Sequence, residues 1–290
     1  MSNRRDVETE VVDVHGIRTR YASIGEGPPL LLFSPGGFDS SLENWTTFGR
    51  YRDLGFIEAL SSDFRCIVFD RRESGRSGGR IERLSWDKYV QQAVGLLDHL
   101  GIDEVHLMGG CVGCSTAAML AVQQPGRVRS MVLFSPAGGV HYRRAQHRRF
   151  AAHLAFVRGK GLAAVVDVAR STDAGFSADP RVGPWAAVIR ADDAFARSVA
   201  SHDAERYELI VGASVRLLFD RDTVPGPEPE DLLALEVPAL IVPGQDRSHA
   251  PSAARYLQEC LTMSDYWNVP VVEQTAASAS RRVREFLKNH

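Results

Sequence analysis

At 290 residues, 44% hydrophobic and 24% charged, with a formal net charge of −2, the chain is long enough to bury a large core without disulfide or metal staples. No apolar stretch approaches the roughly 20 residues that span a bilayer. The near-neutral charge balance gives no general pull toward nucleic acid or anionic lipid. A small-molecule substrate is therefore the expected partner, with no nucleic acid and no membrane, and a homodimer stays open. The opening segment, MSNRRDVETEVVDVHG, mixes both charges and has no apolar run before a cleavage site, so a cytoplasmic protein is expected. Four cysteines, Cys66, Cys111, Cys114 and Cys260, are too few and too irregularly spaced for a disulfide framework, and free thiols are expected.

In chain order, Val11 to Gly16 and Ile17 to Ser23 alternate in polarity like an antiparallel edge pair. Five nearly continuous apolar runs follow, Pro29 to Ser34, Arg65 to Asp70, Glu104 to Gly109, Arg129 to Ser135 and Val237 to Val242, as strands covered on both faces should read. Helical spacing marks Ser85 to Leu100, Val112 to Gln123, Ser252 to Leu261 and Ser278 to Lys288. The alternation predicts an α/β fold with a mostly parallel central sheet flanked by helices. Residues 138–235 carry helical patterns without strand signals and read as an inserted cap, leaving 1–137 and 236–290 as the core. Within the insertion, Val224 to Asp231 (VPGPEPED) is expected to be an extended return linker. The basic run Arg143, Arg144, His147, Arg148 and Arg149 reads as a solvated helix face.

Chemistry concentrates at Gly109-Gly110-Cys111-Val112-Gly113, directly between a strand pattern and a helix pattern. In such a G-x-nucleophile-x-G turn the middle residue is strained and projects from the strand end, while the glycines let strand and helix approach. The helix N-terminus behind Cys111 favours a thiolate over a thiol, whose reference pKa is about 8.5.

These features, with Ser34-Pro35-Gly36-Gly37 where His-Gly-Gly is common, Asp70 to Ser77 (DRRESGRS) after the next strand, and Gln124 to Val128, resemble the α/β-hydrolase superfamily through about Ala137 and over the last fifty residues. The resemblance implies an oxyanion hole from the backbone N–H groups of Gly37 and Val112, each such donor contributing roughly 3 kcal/mol to the transition state. It implies Asp246, after the run Val237 to Val242, as the orienting carboxylate, with capping of the next helix as the bland alternative. It treats Asp70 to Ser77 as a structural turn. It also implies a histidine on the loop after the last strand, and there the sequence departs: Tyr266 to Thr275 contains none, and the only later one is His290.

Two repairs are open. A thiol ionised by the helix end needs a base less than a hydroxyl does, or His249, three residues after Asp246, supplies the imidazole. Phe38 and Trp185 are the candidates for substrate contact under the cap, with Trp45 beside them, although aromatic residues at such positions also serve as core. Cys111-Val112-Gly113-Cys114 doubles as a C-x-x-C pair, which keeps a dithiol function open, while the lack of further paired Cys or His argues against zinc. The expected function is a cysteine-dependent acyl hydrolase or acyltransferase on a small ester, thioester or lactone, without metal or organic cofactor. The alternatives are a ligand-binding protein on an altered hydrolase fold, or a cofactor-free lyase or C–C bond enzyme.

Overall fold

A computed structural model describes residues 8–290; the first seven residues of the segment on which the cytoplasmic expectation rests lie outside them. The chain runs β1 (Glu10–Val14), β2 (Ile17–Ile24), β3 (Pro29–Phe33), three short helices α1 (Asn44–Thr47), α2 (Gly49–Leu54) and α3 (Phe56–Leu60), then β4 (Arg65–Phe69), α4 (Trp86–His99), β5 (Val105–Gly110), α5 (Gly113–Gln123) and β6 (Val128–Phe134). Helices α6 (Val140–Ser171), α7 (Ala186–Ala191), α8 (Asp193–Ala200) and α9 (Ala204–Leu218) follow, and α10 (Pro229–Leu233), β7 (Ala239–Val242), α11 (Pro251–Cys260), β8 (Ser264–Tyr266) and α12 (Ala276–Lys288) complete it.

One sheet has the order β1-β2-β4-β3-β5-β6-β7-β8. Strand β2 is antiparallel to both β1 and β4, and the pairs from β4 to β8 are parallel. Strand residues alternate between two buried faces, which is why the runs are continuously apolar. Leu30, Leu32, Met108, Val132 and Val242 join α2, α3, α12 and the cap helices, while Leu31, Phe33, Leu107, Leu133 and Ile241 face α4, α5 and α11.

Helices α6 to α9 lie between β6 and β7 in the chain, in the segment expected to be a cap, with α6 broken at Gly161, whose φ of 79° is non-helical. The segment expected to be an extended return linker differs in part. Pro229 occupies the first turn of α10, where its missing N–H costs no hydrogen bond. Val224, Leu232 and Leu235 bury against the sheet's α5 and α11 side, so residues 224–235 pack with the core layer rather than with the cap.

Candidate active site

Cys111 follows β5 directly and holds a φ of 57°, a left-handed value that a non-glycine residue adopts only under constraint. The constraint is visible on both sides of it. A Cβ on Gly109 would lie 2.5 Å from the Cys114 nitrogen, and one on Gly113 would lie 2.2 Å from the Phe33 carbonyl oxygen. Cys111 N–H donates to the Phe134 carbonyl at 3.2 Å, and its own carbonyl accepts from Cys114 and Ala137 N–H. The sulfur-bearing residue is 9% exposed.

The loop after β7 is folded by Asp246. Its Oδ1 accepts from the backbone N–H of Ser248 at 2.7 Å and of His249 at 3.0 Å, and the carboxylate meets His249 Nδ1 at 2.8 Å. Asp246 thus closes an Asx turn and does not cap α11, whose N-cap is Ala250 and has no side-chain hydrogen bond. Gly138 N–H donates to the Ser248 carbonyl at 2.9 Å, and Ala137 is already bonded to Cys111, so the backbone stitches this loop to the elbow. Gly244 permits the close fold, because a Cβ there would sit 2.4 Å from the His249 Cβ.

His249 Nε2 is buried with no partner inside hydrogen-bond geometry, and Cys111 is the first of the groups that raise the imidazole. Burial lowers the imidazole pKa, but Cys111 and then Asp246 overcome this and push it up to about 9. For Asp246, burial raises the carboxyl and the His249 hydrogen bond and charge outweigh it, leaving it below its ordinary value. The Asp246 side chain is largely open to solvent, which tempers the strength of that pair.

Neither Gly37 nor Val112 N–H donates a hydrogen bond among the described residues. Gly37 has φ 64° in a turn that follows β3, and Val112 precedes the first turn of α5. Cys114 is fully buried, its thiol donating to the Gly109 carbonyl at 3.1 Å, and burial with the neighbouring Cys111 drives its pKa well up. That packing weighs against a dithiol function. Among the described residues no cluster of three or more His, Cys, Asp or Glu is arranged to hold a metal.

Phe38 and Trp185, the residues expected to contact substrate, are packed in the core. Phe38 is 4% exposed and meets Phe150, Phe176 and Phe219 edge-on, while Trp185 is 1% exposed against Tyr207 inside the cap. Trp45 is likewise buried, against Tyr51 and Phe56. A cavity of about 380 Å³ is lined by Asp39, Ser41, Asp173, Gly175 and Arg190 among others and touches neither Cys111, Asp246 nor His249.

In the segment expected to carry a histidine, Gln274 is the buried polar residue. Its amide donates to the Pro243 and Val269 carbonyls at 3.0 Å, and its oxygen accepts from Arg50 at 2.9 Å. Arg50 also donates to Ser135 Oγ at 3.3 Å and feels the charge of Asp246. Gln274 and Arg50 brace the loop that holds Asp246 and His249. Nothing in sequence spacing signals this, because the three elements meet only in the folded chain.

The alternating sheet, the strained residue between β5 and α5, and the acid after β7 define the α/β-hydrolase fold. The family model described as "alpha/beta hydrolase fold" matches residues 29–164. An enol-lactonase from Burkholderia xenovorans LB400 superposes with a TM-score of 0.63 at 21% identity, covering 96% of this chain and 100% of that one. Among curated relatives, the dihydrolipoyllysine-residue acetyltransferase component of the acetoin cleaving system of Cupriavidus necator is 33% identical over 129 residues, 44% of this chain and 32% of that protein. A 2-hydroxymuconate semialdehyde hydrolase of Pseudomonas putida is 31% identical over 123 residues, 42% and 41% of the two. The chain therefore spans well under half the length of the relatives it matches.

Proposed function

We propose that this protein is a cysteine-dependent acyl hydrolase or acyltransferase acting on a small ester, thioester or lactone. The observation that carries the reading is the buried, unpaired His249 Nε2 beside Cys111, with Nδ1 held by Asp246 at 2.8 Å. Hydrolase and acyltransferase names among the relatives are consistent with it.

In this reading the Cys111 thiol gives its proton to His249 Nε2 as the sulfur attacks the carbonyl carbon, and the carbonyl π electrons move onto oxygen, which accepts hydrogen bonds from the Gly37 and Val112 N–H groups. Collapse of that intermediate breaks the bond to the leaving alcohol or thiol, which takes the proton from His249 Nε2. The product of this half is a thioester on Cys111. Water, or an acceptor thiol or alcohol, then gives its proton to the same nitrogen as it attacks the thioester and releases the sulfur. Asp246 holds the Nδ1 proton throughout and fixes the ring. The imidazole that the last loop lacks comes instead from the loop of the acid, so its absence there gives little support to a ligand-binding protein.

The test is acyl trapping. Brief incubation with small activated esters and thioesters, quenched in acid and mapped by mass spectrometry, is expected to find the acyl group on Cys111, and Cys111→Ala is expected to abolish both adduct and turnover. Undiminished turnover by Cys111→Ala would overturn the reading.

A further inference from the structure

Cys111 is 9% exposed, too little for a substrate carbonyl to settle between its sulfur and the Gly37 N–H unless something moves. The segment that stands against Gly37 is residues 172–179, which run from the end of α6 to a turn at Pro180 with neither helix nor strand. A Cβ on Gly37 would lie 3.4 Å from Ser177 Oγ. Phe176 is the only buried residue of this strap, 1% exposed, its ring edge-on to Phe38 at 5.2 Å and to Phe150 at 5.1 Å. Because Phe38 directly follows Gly37, the strap is seated beside the oxyanion turn by a single aromatic ring.

The strap is tight within itself and loosely tied to its surroundings. Ala178 and Asp179 N–H both donate to the Gly175 carbonyl at 3.0 Å, so the turn that carries Phe176 holds together as one unit. Toward the neighbouring helices, Arg190 Nη1 donates to the Thr172 and Ala174 carbonyls at 3.3 Å, and Arg149 donates to the Ser177 carbonyl at 3.4 Å. Toward the sheet, the one polar tie among the described residues is Ser177 N–H to Asp39 Oδ2 at 3.3 Å. These bonds lie at the long end of the hydrogen-bond range, and water replaces such partners at little net cost where the groups are not buried. Burial of the Phe176 ring is therefore the chief restraint. There is also room for movement: the cavity of about 380 Å³ has Asp173 and Gly175 of the strap in its wall, opposite Ser41 of the core and Arg190 of α7.

We propose that residues 172–179 are a gate to Cys111: the thiol is reached when Phe176 withdraws from between Phe38 and Phe150 and the strap turns toward the neighbouring cavity, with the Asp39–Ser177 bond as its latch. Closed, the strap keeps water from the oxyanion turn; open, it admits substrate and releases product. The inference rests on the acyl-transfer reading only for what the gate admits, because access to the thiol is measurable without turnover.

The test is a reversible staple across the latch in the full-length protein. A Cβ on Gly175 would run into the Asp39 carboxyl group, and the Gly175 backbone is not left-handed, so Asp39→Cys with Gly175→Cys places two β-carbons within the roughly 3.5–4.5 Å that a disulfide spans. The readout is the rate at which N-phenylmaleimide labels Cys111, followed by peptide mass mapping, before and after the staple is reduced and the reductant removed. The stapled protein is expected to label Cys111 at least tenfold more slowly than its reduced form, while wild type taken through the same oxidation and reduction keeps one rate. Phe176→Ala, which removes the stopper without any staple, is expected to label about fivefold faster than wild type. Equal rates in the stapled and reduced forms, or no acceleration by Phe176→Ala, would overturn the gate and leave the acyl-transfer reading standing. A Cys111 that stays unlabelled in every form would overturn both.

Discussion

Four free cysteines in one chain differ in what their surroundings allow. Burial pushes Cys66 in β4 up to about 12, and Cys114 goes well above its ordinary range with its hydrogen committed to the Gly109 carbonyl. Cys111 alone among the three elbow and strand cysteines has a titrating imidazole beside it. Since the thiolate is the nucleophile, iodoacetamide at pH 7 is expected to modify Cys111 while Cys66 and Cys114 stay unlabelled, with His249→Ala slowing the reaction at Cys111 about tenfold or more. Peptide mapping of the alkylated protein checks this. Equal labelling of Cys111 and Cys114 would return the C-x-x-C reading to favour. At this scale the sequence was informative where the chemistry is contiguous: Cys111 sits inside its glycine turn, and Asp246 and His249 share one short loop. Arg50, Gln274 and Pro243 come from three separate parts of the chain, and no local spacing signals their meeting.

The elements that position the site depend on close backbone approach. Gly244 lies in the loop between β7 and α11, and a Cβ there would meet the His249 Cβ at 2.4 Å, far inside contact distance. Gly244→Ala is therefore expected to push the imidazole off Cys111 and lower turnover by about 100-fold, an effect of the size that misplacement by an ångström produces. The loop is only partly buried, so overall stability should fall by no more than about 1–2 kcal/mol. Kinetics alongside urea titration separates the two, and a loss of stability without a loss of turnover would mean that the loop adapts. The longer elements were legible because burial on two faces leaves continuous apolar strands and amphipathic helices: Ser85 to Leu100 against the observed α4 differs by one residue at each end. What the pattern missed is short. Helices α1 to α3 have four to six residues each, and β8 has three, none of them buried, so neither period nor apolar run can register. Pro229 read as a linker residue and is instead the first turn of α10, since proline suits both.

For the whole molecule, three histidines set opposing slopes on stability with pH. His106 in β5 bonds Ser130 Oγ at 2.9 Å, and His153 in the cap bonds the Pro180 carbonyl at 2.9 Å and Tyr207 Oη at 2.8 Å. Burial is the main cause that lowers each to about 4, against an unfolded value of about 6.5. The unfolded chain then binds more protons between pH 6.5 and 4, so stability is lost as pH falls through that window, by something on the order of 3 kcal/mol for each histidine. His249 works in the other direction. Its folded pKa of about 9 lies above the unfolded value, so its contribution is complete below about pH 6.5 and fades as pH rises through 9. The three together predict a stability maximum near pH 6.5, read from urea midpoints between pH 4.5 and 9.5. His249→Gln should flatten the alkaline limb alone, since cap and core histidines are untouched. Cys111→Ala should flatten it in part, because the thiol is the largest of the influences that raise the imidazole. An alkaline limb equally steep in both variants would mean that His249 does not titrate against Cys111, and would remove the electrostatic link on which the acyl-transfer reading depends.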